Sequence, residues 1–191
     1  MVNKPKVTVI CTCYNHEHYV VDALNSILNQ TYPNIQLIII DDCSTDNSVN
    51  VIEQWIKGRK DILFLKNTQN LGSIKTFNTA YKHVQGEYIL DLAADDILLN
   101  HCIHELVNAF ADNEFKNIGI VYGNINLVDE DRNHLSIYYD NTENPESGDI
   151  YKMVIGRTTK ICSIASMIKK TVFDAVGGYD ESLSYEDLDL W

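Results

Sequence analysis

The sequence predicts an α/β fold, a mostly parallel central sheet with helices on both faces. Short β-branched runs alternate with segments whose apolar residues recur at helical spacing, and this alternation repeats four times before Ile118. Strands joined through helices pair in parallel and carry those helices on their faces. The first, second and fourth runs also end in polar clusters, Cys11 to Asn15, Asp41 to Asp46 and Asp95 to Asp96. In an open α/β sheet that carboxyl edge is where ligands bind.

Each element follows from local pattern. Val7 to Cys11 reads as a buried strand, and Val20, Ala23, Leu24, Ile27 and Leu28 form the stripe of an amphipathic helix. Pro33 disfavours helix in the residue before it, which ends that helix near Tyr32. Leu37 to Ile40 is a second strand. Ser44 or Thr45 is expected to cap the next helix, whose stripe is Val51, Ile52, Trp55 and Ile56. Ile62 to Leu65 is a third strand. Ser73 is expected to cap a helix carrying Ile74, Phe77, Ala80, Tyr81 and Val84, with Gly86 as its stop. Tyr88 to Leu92 is the fourth strand, and Ile103, Leu106, Val107 and Phe110 mark the helix after it. Beyond the run Ile118 to Tyr122 the rhythm weakens. Residues 129–148 read as a polar loop or hairpin excursion, Ser163 to Ile168 as another strand, and a short helix ends at Gly177 and Gly178. No repeat or linker divides the chain, so a single domain over residues 1–191 is expected.

Composition excludes several function classes. The 191 residues carry a formal net charge of −12, with only three arginines, against the clustered basic residues a nucleic-acid surface needs. The five cysteines are odd in number and lack paired spacing, which points to a reducing, cytosolic setting. Cys11 and Cys13 have no second pair to complete a zinc site. His16 and His18 read as solvated residues at a helix start. With Lys4 and Lys6 leading straight into a strand, no leader peptide is expected, and no apolar stretch approaches the ~18 residues of a membrane span.

Three clusters carry chemistry. Adjacent carboxylates such as Asp95 and Asp96 at the end of a buried strand are costly unless paired or metal-bound. Hard oxygen donors suit Mg²⁺ or Mn²⁺, although in isolation a loop or capping role fits the pair better. Asp41 and Asp42 either cap the following helix or accept a hydrogen bond from a base N–H or ribose hydroxyl. Thr12 and Tyr14 offer a hydroxyl and an aromatic face to a nucleobase, while a plain loop tyrosine is the bland alternative.

In order along the chain, residues 7–15, Ser26 to Tyr32, Ile40 to Asp46, Asn70 to Gly72 with Asn78, Gly86 to Ile89 running into Ala94 to Asp96, Val176 to Glu181 and Glu186 to Trp191 resemble the nucleotide-sugar-binding domain of family 2 glycosyltransferases. The resemblance spans nearly the whole chain and is weakest over residues 129–150. It implies the GT-A (Rossmann-like) fold and an inverting, metal-dependent transfer of sugar from a nucleoside-diphosphate sugar, a UDP-sugar by preference, to an acceptor hydroxyl. It implies that Thr12, Tyr14 and Asp42 bind the base, that Lys75 contacts the nucleotide, and that Asp95, with Asp96 beside it, holds Mn²⁺ or Mg²⁺. By the same resemblance Asp187 is the catalytic base, acting without a covalent intermediate. The acceptor is expected to be a glycan or lipid-linked molecule in cell-surface polysaccharide synthesis, which leaves room for peripheral association with the inner face of the membrane.

Two features depart from the family pattern. Ala93 stands where many members carry an aspartate two residues before the metal ligand, and the chain ends soon after Asp187, as a C-terminally truncated piece without its acceptor-binding part would. These features keep a non-catalytic nucleotide-sugar-binding module of the same fold as the alternative. A sugar-nucleotide pyrophosphorylase would carry a glycine-rich basic loop after the first strand, where this chain has none. A dehydrogenase would carry G-x-G-x-x-G, which follows no strand here.

Overall fold

The computed structural model describes residues 4–111, 117–140, 142–143, 145–156 and 161–183. Its elements run β1 (Val7–Cys13), α1 (Val20–Leu28), β2 (Ile35–Asp41), α2 (Ser48–Trp55), β3 (Leu63–Lys66), α3 (Ser73–Tyr81), β4 (Tyr88–Ala93), α4 (Cys102–Ala111), β5 (Ile120–Tyr122), β6 (Asn126–Val128), β7 (His134–Ile137), α5 (Tyr151–Ile155), β8 (Ser166–Lys169) and α6 (Lys170–Val176). The main sheet has the order β3-β2-β1-β4-β8-β5, and β6 and β7 form a separate hairpin.

Strands β1 to β4 are parallel. Strand β8 runs against both β4 and β5, so β5 again points the same way as β4. The sheet is thus mostly parallel, with one reversed strand wedged between β4 and β5. The predicted excursion after β5 is a hairpin in which Asn126 pairs with Ile137 and Leu127 with Ser136.

Alternation along the strands sends side chains to opposite faces. Val9, Cys11, Leu37, Ile39, Leu90 and Leu92 pack in one cluster with Val20, Ala23, Leu24 and Ile27 of α1, Ile52 of α2, and Ile103 and Leu106 of α4. Ile10, Ile38, Ile40, Ile89 and Ile168 form the other, against Ile74, Phe77 and Ala80 of α3 and Phe173 of α6. Phe77 and Phe173 meet edge to face at 5.7 Å between centroids, and neither is more than 1% exposed. The helices therefore cover both faces and leave the strand ends as the open edge.

Three expected boundaries shift for physical reasons. Helix α2 begins at Ser48 behind Asn47, because Ser44 and Thr45 bond to the neighbouring loop instead of capping. Gly72, at φ 83°, is the N-cap of α3, and Ser73 is its first residue. Gly86 does not stop α3, which ends at Tyr81. It enters β4 so close to β1 that an added Cβ would lie 2.6 Å from the Thr8 amide nitrogen. The helix stop read at Gly177 holds, with that residue in the left-handed conformation after α6.

Candidate nucleotide and cation site

Register places the expected site residues side by side. Thr12 of β1 lies between Ile40 of β2 and Ala93 of β4. The chain continues from these three strands into Tyr14, Asp42 and the Asp95–Asp96 turn. The Asp42 amide donates to the Cys13 carbonyl at 2.8 Å, and the Ala94 amide to the Thr12 carbonyl at 2.9 Å, extending the ladders to the rim. Tyr14 is exposed beside them, and Lys75 is exposed in the first turn of α3.

Asp42 is buried and heavily bonded. Its Oδ1 accepts the Asn67 side-chain amide at 2.7 Å and the Leu71 N–H at 2.8 Å, and its Oδ2 accepts the Gly72 N–H at 2.8 Å. Burial pushes its pKa up, but the bonds from Leu71, Asn67, Thr76 and Gly72 outweigh burial and hold it below the ordinary carboxylate value. The carboxylate therefore ties the end of β2 to the start of α3, and so to the turn carrying Lys75. Asn67, at the end of β3, was not visible as a site residue in the sequence. Its signal lay in the position of β3 next to β2.

The first two loops are sewn together. Asp41 accepts the Ser44 amide at 2.9 Å and the Ser44 hydroxyl at 2.5 Å, and Ser44 Oγ in turn accepts the Asn15 N–H at 2.9 Å. Asn15, at φ 59°, accepts the Thr45 N–H on its Oδ1 at 2.8 Å. His16 N–H donates to Ser48 Oγ, Glu17 N–H to Asp46, and Asn47 N–H to Glu17. Polar residues that a sequence reading assigns to helix capping are spent on fixing this rim.

Asp95 and Asp96 sit in the turn after β4. The Asp95 side chain is 49% exposed, whereas Asp96 is half-buried. Burial first, and the neighbouring Asp95 second, raise the Asp96 pKa, with His16 opposing. Two adjacent carboxylates in this state are hard oxygen donors whose repulsion a divalent cation relieves, so the pair fits Mn²⁺ or Mg²⁺. Among the described residues no three His, Cys, Asp or Glu side chains group to hold a metal ion. One or two carboxylates are what Mg²⁺-type sites take from protein when substrate phosphates supply further oxygens. His16, expected to be solvated, instead has a side chain only 27% exposed, with Nδ1 lying 3.7 Å from Asp95 Oδ1. Asp187 lies outside the described residues.

The sequence model of glycosyl transferase family 2 matches residues 8–177. The chain belongs to that family. An uncharacterized glycosyltransferase of Rickettsia typhi is 32% identical over 197 aligned residues, a match covering 98% of this chain and 58% of that protein. Among solved structures, the mannosyltransferase PcManGT from Pyrobaculum calidifontis, in complex with GDP-Man and Mn²⁺, aligns with a TM-score of 0.72 at 20% identity, over 98% of this chain and 51% of its own. S. aureus TarS 1-349 in complex with UDP-GlcNAc aligns at 0.67 and 18% identity, over 97% and 53%. The fold is that of GT-A glycosyltransferases, and the chain spans about half the length of the proteins it matches. All five cysteines of this family 2 chain are free thiols. No helix among its described residues is long and apolar enough to cross a membrane.

Proposed function

We propose that this chain is the donor-binding part of an inverting, metal-dependent glycosyltransferase that moves sugar from a UDP-sugar to an acceptor hydroxyl. The observation that carries this reading is the meeting of Thr12, Asp42 and the Asp95–Asp96 turn on one sheet edge in a family 2 chain. Thr12, Tyr14 and Asp42 face the base in this reading, and Lys75 contacts the nucleotide.

Asp42 accepts from Asn67, Leu71, Thr76 and Gly72, donors enough for the about four lone-pair sites of a carboxylate. The preference for uridine rests on the family resemblance and on Thr12, Tyr14 and Asp42 at adjacent strand ends. GDP-Man in PcManGT and UDP-GlcNAc in TarS are the donors bound by structural relatives.

Asp95 would hold Mn²⁺ or Mg²⁺ with Asp96 beside it, and the ion would supply Lewis-acid stabilisation of the departing diphosphate. The stitched loops hold the nucleotide groups in place before the donor arrives, which lowers the ordering cost of binding. A sugar hydroxyl is far too weak an acid to attack unaided, so a carboxylate base must take its proton as the new bond forms. Asp187 is that base in our reading, and one in-line displacement inverts the anomeric carbon. Cell-surface glycan or lipid-linked acceptors, at the inner face of the membrane, are the proposed targets. Ala93 favours a second reading, a non-catalytic nucleotide-sugar module, because it removes a carboxylate from the cation turn. In the full-length protein, transfer that falls by ~10²-fold or more in Asp187→Asn, with donor binding intact, supports catalysis by this base.

Calorimetry tests the donor site. UDP is expected to bind more tightly than GDP or ADP, and more tightly with Mn²⁺ than with chelator. Asp95→Ala is expected to abolish the gain from Mn²⁺, and Asp96→Ala to reduce it less. Equal affinity for the three diphosphates would overturn the uridine assignment, and indifference to chelator would overturn the cation.

A further inference from the structure

We infer that His16 is a positioning residue for Asp95, fixing the orientation of the carboxylate that takes the cation. The inference rests on the reading of Asp95 as a cation ligand given above. His16 is anchored on the rigid side of the rim. Its N–H donates to Ser48 Oγ at 2.9 Å, and its carbonyl accepts the Tyr19 and Val20 amides, each at 3.0 Å. Its ring meets the edge of Tyr19 at 6.3 Å between centroids. Asp95, by contrast, stands half exposed on the turn after β4.

The imidazole bridges these two sides. Its Nδ1 is shielded from solvent and has no hydrogen-bond partner among the described residues, while Asp95 Oδ1 lies 3.7 Å away. A shielded lone pair facing a carboxylate would be unfavourable twice over, through desolvation and through repulsion. Nδ1 therefore carries the ring proton and offers it to Asp95. The separation exceeds a hydrogen bond, and a small rotation of the half-exposed carboxylate closes it. Ligating carboxylates commonly need such an outer partner, whose loss weakens metal binding by about 10–100-fold.

The test measures Mn²⁺ affinity at saturating UDP by electron paramagnetic resonance of free Mn²⁺, with thermal unfolding of every variant alongside. His16→Ala is expected to weaken Mn²⁺ by about tenfold or more. His16→Asn sets an amide nitrogen where Nδ1 stood, and is expected to recover most of that loss. His16→Gln reaches the Nε2 position instead, and is expected to behave like His16→Ala. A purely structural role would track the melting temperature and would not separate Asn from Gln. A wild-type chain without Mn²⁺ binding would overturn the cation reading and this inference together. Mn²⁺ binding by the wild type with an unchanged affinity in His16→Ala, or with Asn no better than Gln, would overturn the inference alone.

Discussion

The Asp42 carboxylate has a structural job, set by the bonds it accepts. Its folded-state pKa lies below the ordinary value because bonds from Leu71, Asn67, Thr76 and Gly72 outweigh burial. Asp46 is depressed in the same way, burial being outweighed by Ser48 and the Glu17 N–H. A depressed carboxylate contributes stability that is complete above its unfolded pKa of about 3.9 and is lost as pH falls through the folded value. Asp42→Asn is therefore expected to melt lower at pH 6 and to lose less further stability on acidification from pH 5 to 3. Replacing an acceptor by an amide turns an N–H of its own toward a backbone donor, at a cost of about 1–3 kcal/mol. Thermal melts across that range check both statements, and parallel pH slopes for variant and wild type would remove the linkage. The sequence marked Asp42, Asp95 and Asp96 because acidic pairs at strand ends are conspicuous. It did not mark Asn67 or His16, whose partners come from other loops and are joined only by the fold.

At the scale of elements, Gly86 shows how a boundary can be misread. Glycine after a helical stripe suggests a stop, yet the reason for glycine here is contact. Its N–H donates to Thr8 Oγ1 at 2.9 Å, and a Cβ would meet the Thr8 nitrogen at 2.6 Å and the Tyr88 carbonyl at 2.8 Å. Gly86→Ala is expected to destabilise by about 1–3 kcal/mol through overpacking. UDP affinity of the folded fraction should be unchanged, because the clash lies at the amino ends of β1 and β4, away from the rim. Urea unfolding with calorimetry on the same sample checks both expectations. The helices and the first four strands were legible because periodicity reports burial, and burial follows from packing on both faces of a sheet. The direction of β8 was not legible. A four-residue strand with Met167 and Ile168 at its centre has the same pattern in either direction, and only pairing with β4 and β5 decides it.

For the whole molecule, charge sets the terms of binding. By our reading, a chain of net charge −12 receives a ligand that carries phosphates. Without a cation the two repel, and raising salt from about 0.01 M to about 0.15 M shortens the screening length from ~30 to ~8 Å. Metal-free UDP is therefore expected to bind no more weakly, and by our reading more tightly, at the higher salt. A site built from basic residues would lose affinity over that range, and such a loss measured by calorimetry would count against the charge argument. The reversed strand has a consequence of another kind. Tyr122 of β5 pairs with Ser166 of β8, and the Gly123 amide donates to the Ala165 carbonyl at 2.9 Å. Residues 123–165 thus leave the sheet from β5 and rejoin it at β8 through one closed neck. Lengthening such a loop adds closure entropy only slowly, about 0.6 kcal/mol for each doubling. Residues can therefore be added within this stretch at little entropic cost, with the register of β5 against β8 unchanged.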